Sequence, residues 1–232
     1  MRSLFKALMR WLLWVALAGL ALQVFFALRI ATMVWIDPGS TSFQRSEAWR
    51  LLQQEEHLKW RQSWIPYSEM PRHIKRAAIA SEDATFADHG GVDWSAIEQA
   101  WKRNSRKPQR LRGGSTITQQ LAKNLFLSGE RNLVRKGQEL AITLMLEQML
   151  SKQRILEIYL NHVEWGAGVF GVEAASQHYY RKPAQRLTAY ESARLVVMLP
   201  SPKRFEVMPN SRYLASRAHT IVSRMGAVSI PN

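Results

Sequence analysis

The sequence contains no cysteine among its 232 residues. This absence excludes disulfides, thiolate zinc sites and cysteine nucleophiles. Acidic residues are also scarce, because 18 Asp and Glu stand against 32 Lys and Arg, and the formal net charge is +14. So positive a balance indicates an anionic partner, such as a phosphate-bearing ligand, a nucleic acid or an acidic membrane surface. With 47% hydrophobic residues, the chain is neither a disordered tail nor a low-complexity segment.

Several catalytic signatures are missing as well. The sequence has no G-x-x-x-x-G-K-[ST] phosphate loop, no H-E-x-x-H motif and no G-x-S-x-G nucleophile elbow. Ser3 and Lys6 match S-x-x-K, but they precede an apolar run and no K-T-G follows, so a penicillin-binding serine acyl-transferase is excluded. Alternating strand patterns are nearly absent. We therefore predict a single, mainly α domain with a small hairpin at most.

One hydrophobic run near the N-terminus is long enough to cross a membrane. Residues 11–28 have Gln23 as their one polar side chain, and apolar residues resume from 30 to 36. A helix needs roughly 20 such residues to cross a 30 Å hydrocarbon core. We therefore predict a transmembrane signal-anchor helix over 11–36. A cleaved signal peptide is the alternative, which the missing small-x-small cleavage pattern disfavours.

The basic residues in front of this run predict its orientation. Arg2, Lys6 and Arg10 have no acid near them, which favours a cytoplasmic N-terminus. The predicted organisation is a cytoplasmic basic tail over 1–10, the anchor, and a domain over 37–232 on the other side of the membrane. That domain is itself strongly basic, so an anionic partner outside the cytoplasm is expected and a nucleic acid is not.

Helical signals account for most of the remaining chain. Pro71 stands where a first-turn proline is favoured, and its helix should stop at the glycine pair after His89. Ser115 is the candidate N-cap of a later helix. The predicted helices cover 71–89, 93–103, 116–127, 132–162 and 191–199.

The first chemically informative segment reads EDATFADHGG over 82–91. On a continuous helix, Glu82, Phe86 and His89 lie on one face. The helical neighbours of Glu82 carry no positive charge, so no local cation holds its carboxylate ionised. Such a carboxylate has a distant partner or a raised pKa suited to proton transfer. The alternative is that Glu82 and Asp83 form a solvated pair of acids at a helix end.

The second segment, GGSTITQQLAKN over 113–124, combines two glycines with hydroxyls at a helix start. Free N–H groups and the helix dipole make such a start a ready anion site. Thr116, Gln120 and Lys123 follow at helical spacing on one side. A basic run over 102–112 precedes the segment and would attract a phosphorylated substrate. An ordinary turn and a capped helix, next to a solvated basic loop, form the alternative.

A third acid, Glu139, follows Arg135 and Lys136 by four and three residues, so it should remain ionised. One carboxylate without a cation and another paired with cations is the pattern expected when two acids divide the steps of a reaction. The alternative is a helix salt bridge worth about 0.3–0.5 kcal/mol. The stretch 155–180, which includes Asn161, is predicted to serve mainly packing.

Four segments in this order resemble the family-51 peptidoglycan glycosyltransferases: EDATFADHGG, GGSTITQQLAKN, RKGQE, and ILEIYLN with the glycines, alanines and tyrosines after it. The resemblance covers about residues 65–205, and the four motifs together are highly specific, although Tyr180 stands where Phe is common. The family implies a mainly α, lysozyme-like glycosyltransferase fold at the outer face of a bacterial inner membrane. Its members polymerise lipid II into β-1,4 glycan, with inversion at the sugar carbon, and release undecaprenyl pyrophosphate.

The resemblance also implies roles for individual residues. Glu82 is the expected general base, which takes the proton from the acceptor's 4-hydroxyl, and Glu139 is the expected second acid near the donor. The residues expected to neutralise the pyrophosphate are Lys123, Arg131, Arg135 and Lys136. Those expected to line the donor site are Gly114, Ser115, Thr116, Gln119 and Gln120. Those expected to shape the site without doing chemistry are Asp83, Phe86, His89 and Asn161.

A divalent cation, Mg²⁺ or Mn²⁺, is implied too, with Glu139 as its candidate ligand. The expected partners are lipid II, growing lipid-linked glycan, membrane lipids, and proteins of cell division or elongation. Two other functions remain open. A lysozyme-like glycan hydrolase would use a carboxylate but would not need a cationic pyrophosphate site. A non-catalytic cell-wall scaffold would tolerate replacement of Glu82.

Overall fold

A computed structural model describes residues 2–54, 60–106, 114–127, 129–130 and 132–231. Within these ranges the chain is mainly helical, which confirms the predicted class. The helices are α1 (Arg2–Thr32), α2 (Ser42–Gln54), α3 (Arg72–Glu82), α4 (Trp94–Arg106), α5 (Ile117–Phe126), α6 (Leu133–Met149), α7 (Lys152–His162), α8 (Val172–Tyr180), α9 (Ala189–Met198), α10 (Pro202–Glu206) and α11 (Arg212–Arg224). The strands are β1 (Arg61–Gln62), β2 (Glu164–Gly166) and β3 (Val169–Phe170).

The core is built from two groups of helices. One group packs α3 against α9 and α11, and the other packs α5 against α6 and α7. Both bury apolar side chains, including the fully buried Ile74 of α3, Leu121 of α5 and Ile142 of α6. The groups meet where the end of α3 contacts the start of α5, because Asp83 accepts the backbone N–H of Ile117 at 3.0 Å. The candidate site residues lie at this junction.

The described strands form one small sheet in the order β1-β3-β2. β2 and β3 make the antiparallel hairpin, and β1 adds in parallel with Arg61 opposite Val169. Gly171 follows β3 with φ of 82°, and a Cβ there would lie 2.7 Å from the carbonyl oxygen of Asn161. Glycine is therefore needed at this position, where the chain turns directly into α8.

The anchor helix has different limits from those predicted. α1 runs without a break from Arg2 to Thr32, and residues 33–36 form turns. The segment Ser3–Thr32 is long and apolar enough to cross a membrane. Residues 3–22 are exposed throughout, whereas Phe26, Ile30 and Met33 are buried. The last third of the helix is therefore part of the folded domain.

Two other predicted helices are also corrected. α3 ends at Glu82 and does not reach His89, because Asp83 leaves the helical conformation with φ of −162° and ψ of 78°. The single helix predicted over 132–162 is two helices, since Leu150 is extended. Ser151 then caps α7 by accepting the backbone N–H of Arg154 at 3.2 Å. α4 and α9 lie where they are predicted.

Candidate active site

Glu82 is the last residue of α3, and its half-buried carboxylate faces α5. Gln120 Nε2 donates to Glu82 Oε2 at 3.1 Å, and the Ser81 hydroxyl donates to Oε1 at 3.1 Å. The buried Tyr159 hydroxyl donates to Gln120 Oε1 at 3.1 Å, which orients this amide toward Glu82. Burial raises the pKa of the Glu82 carboxyl. The hydrogen bonds from Gln120 and Ser81 and the charge of Arg217 lower this pKa, but by less. A carboxylate in this state is suited to accept a proton.

The residues after Glu82 form turns that are fixed to the start of α5. The buried Asp83 accepts the Ile117 N–H through Oδ2, and its Oδ1 lies 2.8 Å from His89 Nε2. Since the Gly91 N–H donates to His89 Nδ1 at 3.1 Å, the proton is on Nε2 and is donated to Asp83. Asp83 and His89 therefore hold the loop in place.

The prediction that Glu82, Phe86 and His89 share one helical face is wrong. The helix stops before Phe86, and the loop carries the Phe86 ring into the core, where it is fully buried. The segment from 84 to 91 thus folds back from Glu82 instead of extending its helix.

Thr116, and not Ser115, caps α5. The Thr116 hydroxyl accepts the Gln119 N–H, and the Gln119 side chain accepts the Thr116 N–H, which makes a reciprocal capping box. The same hydroxyl donates to the carbonyl oxygen of Gly91 at 2.6 Å. Thr116 is buried, so it supports the site from behind and does not line it as predicted. Gly114 packs against Ile97 of α4.

A cleft of about 490 Å³ opens in front of Glu82. Its walls come from the ends of α3 and α9, one side of α5, and parts of α6 and α11. The lining residues are Ser81, Glu82, Ser115, Gln119, Gln120, Lys123, Glu139, Val197, Leu199, Pro200, Tyr213 and Arg217. Glu82 and Glu139, which are distant in sequence, thus line one cleft of a size that suits a small-molecule or sugar ligand.

A second cavity of about 240 Å³ adjoins this cleft, and Lys123 and Glu139 line both. Arg135 and Lys136 line the second cavity from the first turn of α6. The buried Glu139 accepts from Arg135 Nη1 at 2.7 Å through Oε2 and pairs with Lys136 through Oε1. Three cations around one carboxylate give this cavity a positive balance, which suits an anionic group such as a pyrophosphate.

The described residues do not fit a resident metal. Within the described ranges no group of three or more His, Asp or Glu side chains could hold an ion. Glu139, the predicted ligand, has both of its oxygens paired with cations. A divalent cation would need oxygen atoms from the substrate, and its involvement stays a prediction.

The remaining predicted residues lie elsewhere. Arg131 falls outside the described residues, as do residues 107–112 of the basic run, whose first part, 102–106, belongs to α4. Asn161 is buried. Its side-chain amide accepts the N–H of Ile65 and donates to the carbonyl oxygen of Ile65, both at 2.9 Å. It therefore ties α7 to the segment before α3 and does not enter the cleft.

Sequence reasoning missed several residues of the site, among them Tyr213 and Arg217, which line the cleft, and Tyr159, which lies behind it. Tyr213 and Arg217 come from α11, far along the chain from every motif, and no local pattern marks them. Tyr159 belongs to a stretch predicted to serve packing, and it does pack, but its hydroxyl also orients Gln120. A buried tyrosine hydroxyl usually has a hydrogen-bond partner, and this general expectation is the one signal available for Tyr159.

A carboxylate suited to take a proton, next to a cavity suited to an anionic leaving group, is the arrangement of a group-transfer enzyme. The transglycosylase family model matches residues 50–226, and the chain belongs to the transglycosylase family. Similar proteins support this. The chain is 54% identical over 225 residues to a biosynthetic peptidoglycan transglycosylase of Burkholderia thailandensis, covering 94% of this chain and 88% of that protein.

A second relative gives the same result. The chain is 52% identical over 227 residues to a protein of Paraburkholderia xenovorans with the same name, covering 96% of this chain and 95% of that protein. The family resemblance inferred from the four motifs is therefore confirmed.

Proposed function

We propose that this chain polymerises lipid II into the β-1,4 glycan strands of peptidoglycan. Its family and the names of its relatives support this activity. The observation that carries the chemistry is the Glu82 carboxylate, which accepts from Gln120 and lines one cleft with Lys123 and Glu139. Arg135 and Lys136, the cations paired with Glu139, line the adjoining cavity.

In the proposed reaction Glu82 is the general base. It takes the proton from the acceptor's 4-hydroxyl while that oxygen attacks C1 of the donor sugar, and the configuration at C1 inverts. Gln120 has a positioning role, because its amide donates to Glu82 and is itself oriented by Tyr159. The raised pKa of Glu82 strengthens the carboxylate as a base compared with an exposed glutamate.

The leaving undecaprenyl pyrophosphate would lie in the adjoining cationic cavity. Lys123, Arg135 and Lys136 supply its positive charge, and Glu139 holds the latter two in place through its ion pairs. Charge that develops on the leaving oxygen is stabilised most when the cations are already oriented before the reaction.

The proposed location follows from α1 and from the substrate. The helix anchors the domain in the membrane, with its basic start in the cytoplasm and the cleft on the periplasmic side. A substrate with a lipid tail stays in the same membrane, so an anchored domain meets it by lateral diffusion. Proteins of cell division or elongation are proposed as further partners.

The test is to incubate the purified, detergent-solubilised full chain with labelled lipid II, with and without divalent cation. Glu82→Gln removes the base, and Asp88→Asn removes a nearby exposed carboxylate as the matched control. We expect lysozyme-sensitive polymer from the wild type and the control. Glu82→Gln should be slower by a factor of roughly 100 or more, the usual contribution of a general base.

The other outcomes are informative as well. Unchanged polymerisation by Glu82→Gln would contradict the assigned base. Shortening of preformed glycan without new polymer would support the hydrolase, and a folded wild type without either activity would support the scaffold.

A further inference from the structure

An ion pair behind the cleft fixes the loop that follows Glu82. Lys152, the first residue of α7, donates from Nζ to the carbonyl oxygen of His89 at 2.6 Å. The same Nζ pairs with the carboxylate of Glu147, near the end of α6, at 2.9 Å. Neither residue is among those that line the cleft or the adjoining cavity. Their side chains are mostly buried, with 21% of Lys152 and 7% of Glu147 exposed.

The pair also reaches α5. The Thr118 hydroxyl donates to Glu147 Oε1 at 2.5 Å, and Thr118 lies two residues before Gln120. Glu147 therefore connects two segments. One is α5, which carries Gln120, and the other is the loop that follows Glu82. The relative position of these two segments determines the 3.1 Å hydrogen bond between Gln120 and Glu82.

Further contacts transmit the position of the loop to Glu82. Lys152 fixes the peptide of His89, and the His89 ring donates to Asp83, the residue after Glu82. Packing in this region leaves no free space, because a Cβ on Gly91 would lie 2.7 Å from Thr143 Cγ2 and 2.8 Å from Glu147 Cγ. The Lys152 ammonium also lies 4.5 Å from the centre of the Phe86 ring.

We propose that Lys152 and Glu147 are positioning residues for glycosyl transfer. They hold the loop 83–91 and α5 so that Glu82 stays in place to remove the acceptor's proton. The inference rests on the proposed function, because turnover of lipid II is its readout. A misplacement of about 1 Å at a reacting group costs roughly 100-fold in rate, so a contact that never touches substrate has a measurable effect.

The experiment must separate positioning from stability. Removing one partner of a mostly buried ion pair destabilises any fold, whatever its role in catalysis. The chain offers a matched control in Lys182 and Glu191, which pair at 2.6 Å with 26% and 22% of their side chains exposed. That pair joins the end of α8 to α9 and has no contact with the loop 83–91 among the interactions of the described residues.

Lys152→Met and Lys182→Met are compared in the full-length protein, each assayed well below its own Tm. We expect Lys152→Met to lower kcat for lipid II by roughly 30-fold or more, with KM within about threefold of wild type. Lys182→Met should keep kcat within about twofold of wild type, even if its Tm falls as far as that of Lys152→Met. Glu147→Gln should retain more activity than Glu147→Leu, since an amide oxygen still accepts from Thr118 and Lys152.

Equal kcat for Lys152→Met and Lys182→Met would overturn the proposal, as would a loss confined to KM. If Lys152→Met does not fold, Thr118→Val and Glu147→Leu serve in its place, and wild-type kcat in both would be equally decisive against the proposal. Failure of the proposed function itself looks different, because then the wild type makes no polymer or Glu82→Gln stays active.

Discussion

Glu82 and Glu139 line the same cleft but are held by different kinds of groups. Glu82 accepts from an amide and a hydroxyl, whereas Glu139 accepts from a guanidinium and an ammonium. Hydrogen bonds from neutral donors do not compensate fully for burial, so the pKa of Glu82 is raised. The surroundings of Glu82 favour proton transfer, and those of Glu139 favour the placement of cations.

The raised pKa of Glu82 has a consequence for stability. Above its folded pKa the carboxylate is ionised in both states, but it is less well solvated in the folded one, so ionised Glu82 destabilises the fold at neutral pH. Glu82→Gln should therefore slow turnover by roughly 100-fold or more and yet raise Tm at pH 8. The gain should disappear near pH 4, where Glu82 is protonated.

Thermal unfolding of wild type and variant across this pH range checks the prediction. Asp88→Asn, an exposed acid in the same loop, should show no such gain. A lower Tm for Glu82→Gln at pH 8 would mean that Glu82 has a stabilising partner.

At the scale of secondary structure, α2, β2 and α10 meet around two buried carboxylates. Lys203 of α10 pairs with Glu47 of α2 and lies 3.4 Å from Oε1 of Glu164 in β2. Burial raises the pKa of Glu164 to about 7, the Lys203 charge lowers it, and the Glu47 charge adds to the rise. The Lys203 ammonium thus pairs with two carboxylates, and it compensates for the burial of Glu164 less completely than for that of Glu47.

The sign of the pH dependence follows from this pKa. The folded state binds the Glu164 proton more tightly than the unfolded state, so stability falls as pH rises from the ordinary carboxyl range through about 7. We expect Glu164→Gln to raise Tm at pH 8 and to leave it unchanged or lower at pH 5. Each kcal/mol corresponds to about 2–4 °C for a chain of this size.

Calorimetry or circular dichroism at the two pH values measures this effect. Glu130→Gln, which removes an exposed carboxylate, serves as the control and should not change the pH dependence. A Tm difference for Glu164→Gln that is the same at pH 5 and pH 8 would contradict the assignment.

The positions of secondary-structure elements were easier to predict from sequence than their ends. Periodicity predicted α4 and α9, but it could not show that α3 stops at Glu82, because residues 84–89 contain no glycine or proline that would end a helix. Its end is determined by tertiary contacts, namely those of Asp83 with His89 and Ile117. For the same reason Thr116 replaced Ser115 as cap, since the Thr116 hydroxyl has a distant partner in Gly91.

The site was predictable where a motif is local. Glu82, Gln120, Lys123 and Glu139, which belong to the motifs, line one cleft. Arg217 and Tyr213 enter it from α11 only after the chain has folded, and the link from Lys152 to His89 spans two helices. Contacts between residues so far apart in sequence leave no local pattern.

At the scale of the whole molecule, α1 is both a candidate membrane anchor and a structural part of the domain. Its exposed residues 3–22 extend for about 30 Å, the thickness of a hydrocarbon core. From Gln23 onward the helix contacts α6, and Phe26 packs edge-on against Phe126 with ring centres 5.1 Å apart. Arg154 then bonds the carbonyl oxygen of Met33 at 2.8 Å. If residues 3–22 cross a membrane, the docked part fixes how far the domain lies from it.

Two amides mark the start of this contact. Gln23 Nε2 donates to Gln138 Oε1 at 2.9 Å, and Gln138 Nε2 donates back to Gln23 Oε1 at 3.1 Å. Losing one member leaves the other amide unpaired in a half-buried interface, which costs about 1 kcal/mol, whereas losing both is nearly neutral. Gln23→Leu should therefore loosen the docked part of α1, and Gln23→Leu with Gln138→Leu should restore it.

The absence of cysteine allows this to be measured directly with spin labels at Leu28→Cys and Leu144→Cys, two exposed positions on α1 and α6. We expect a narrow distance distribution in the wild-type background, a broad one in Gln23→Leu, and a narrow one again in the double variant. Equal widths in all three would show that the apolar contacts alone hold the helix. A broad distribution in the double variant would show instead that the amide pair itself is required, because apolar side chains of similar size cannot replace it.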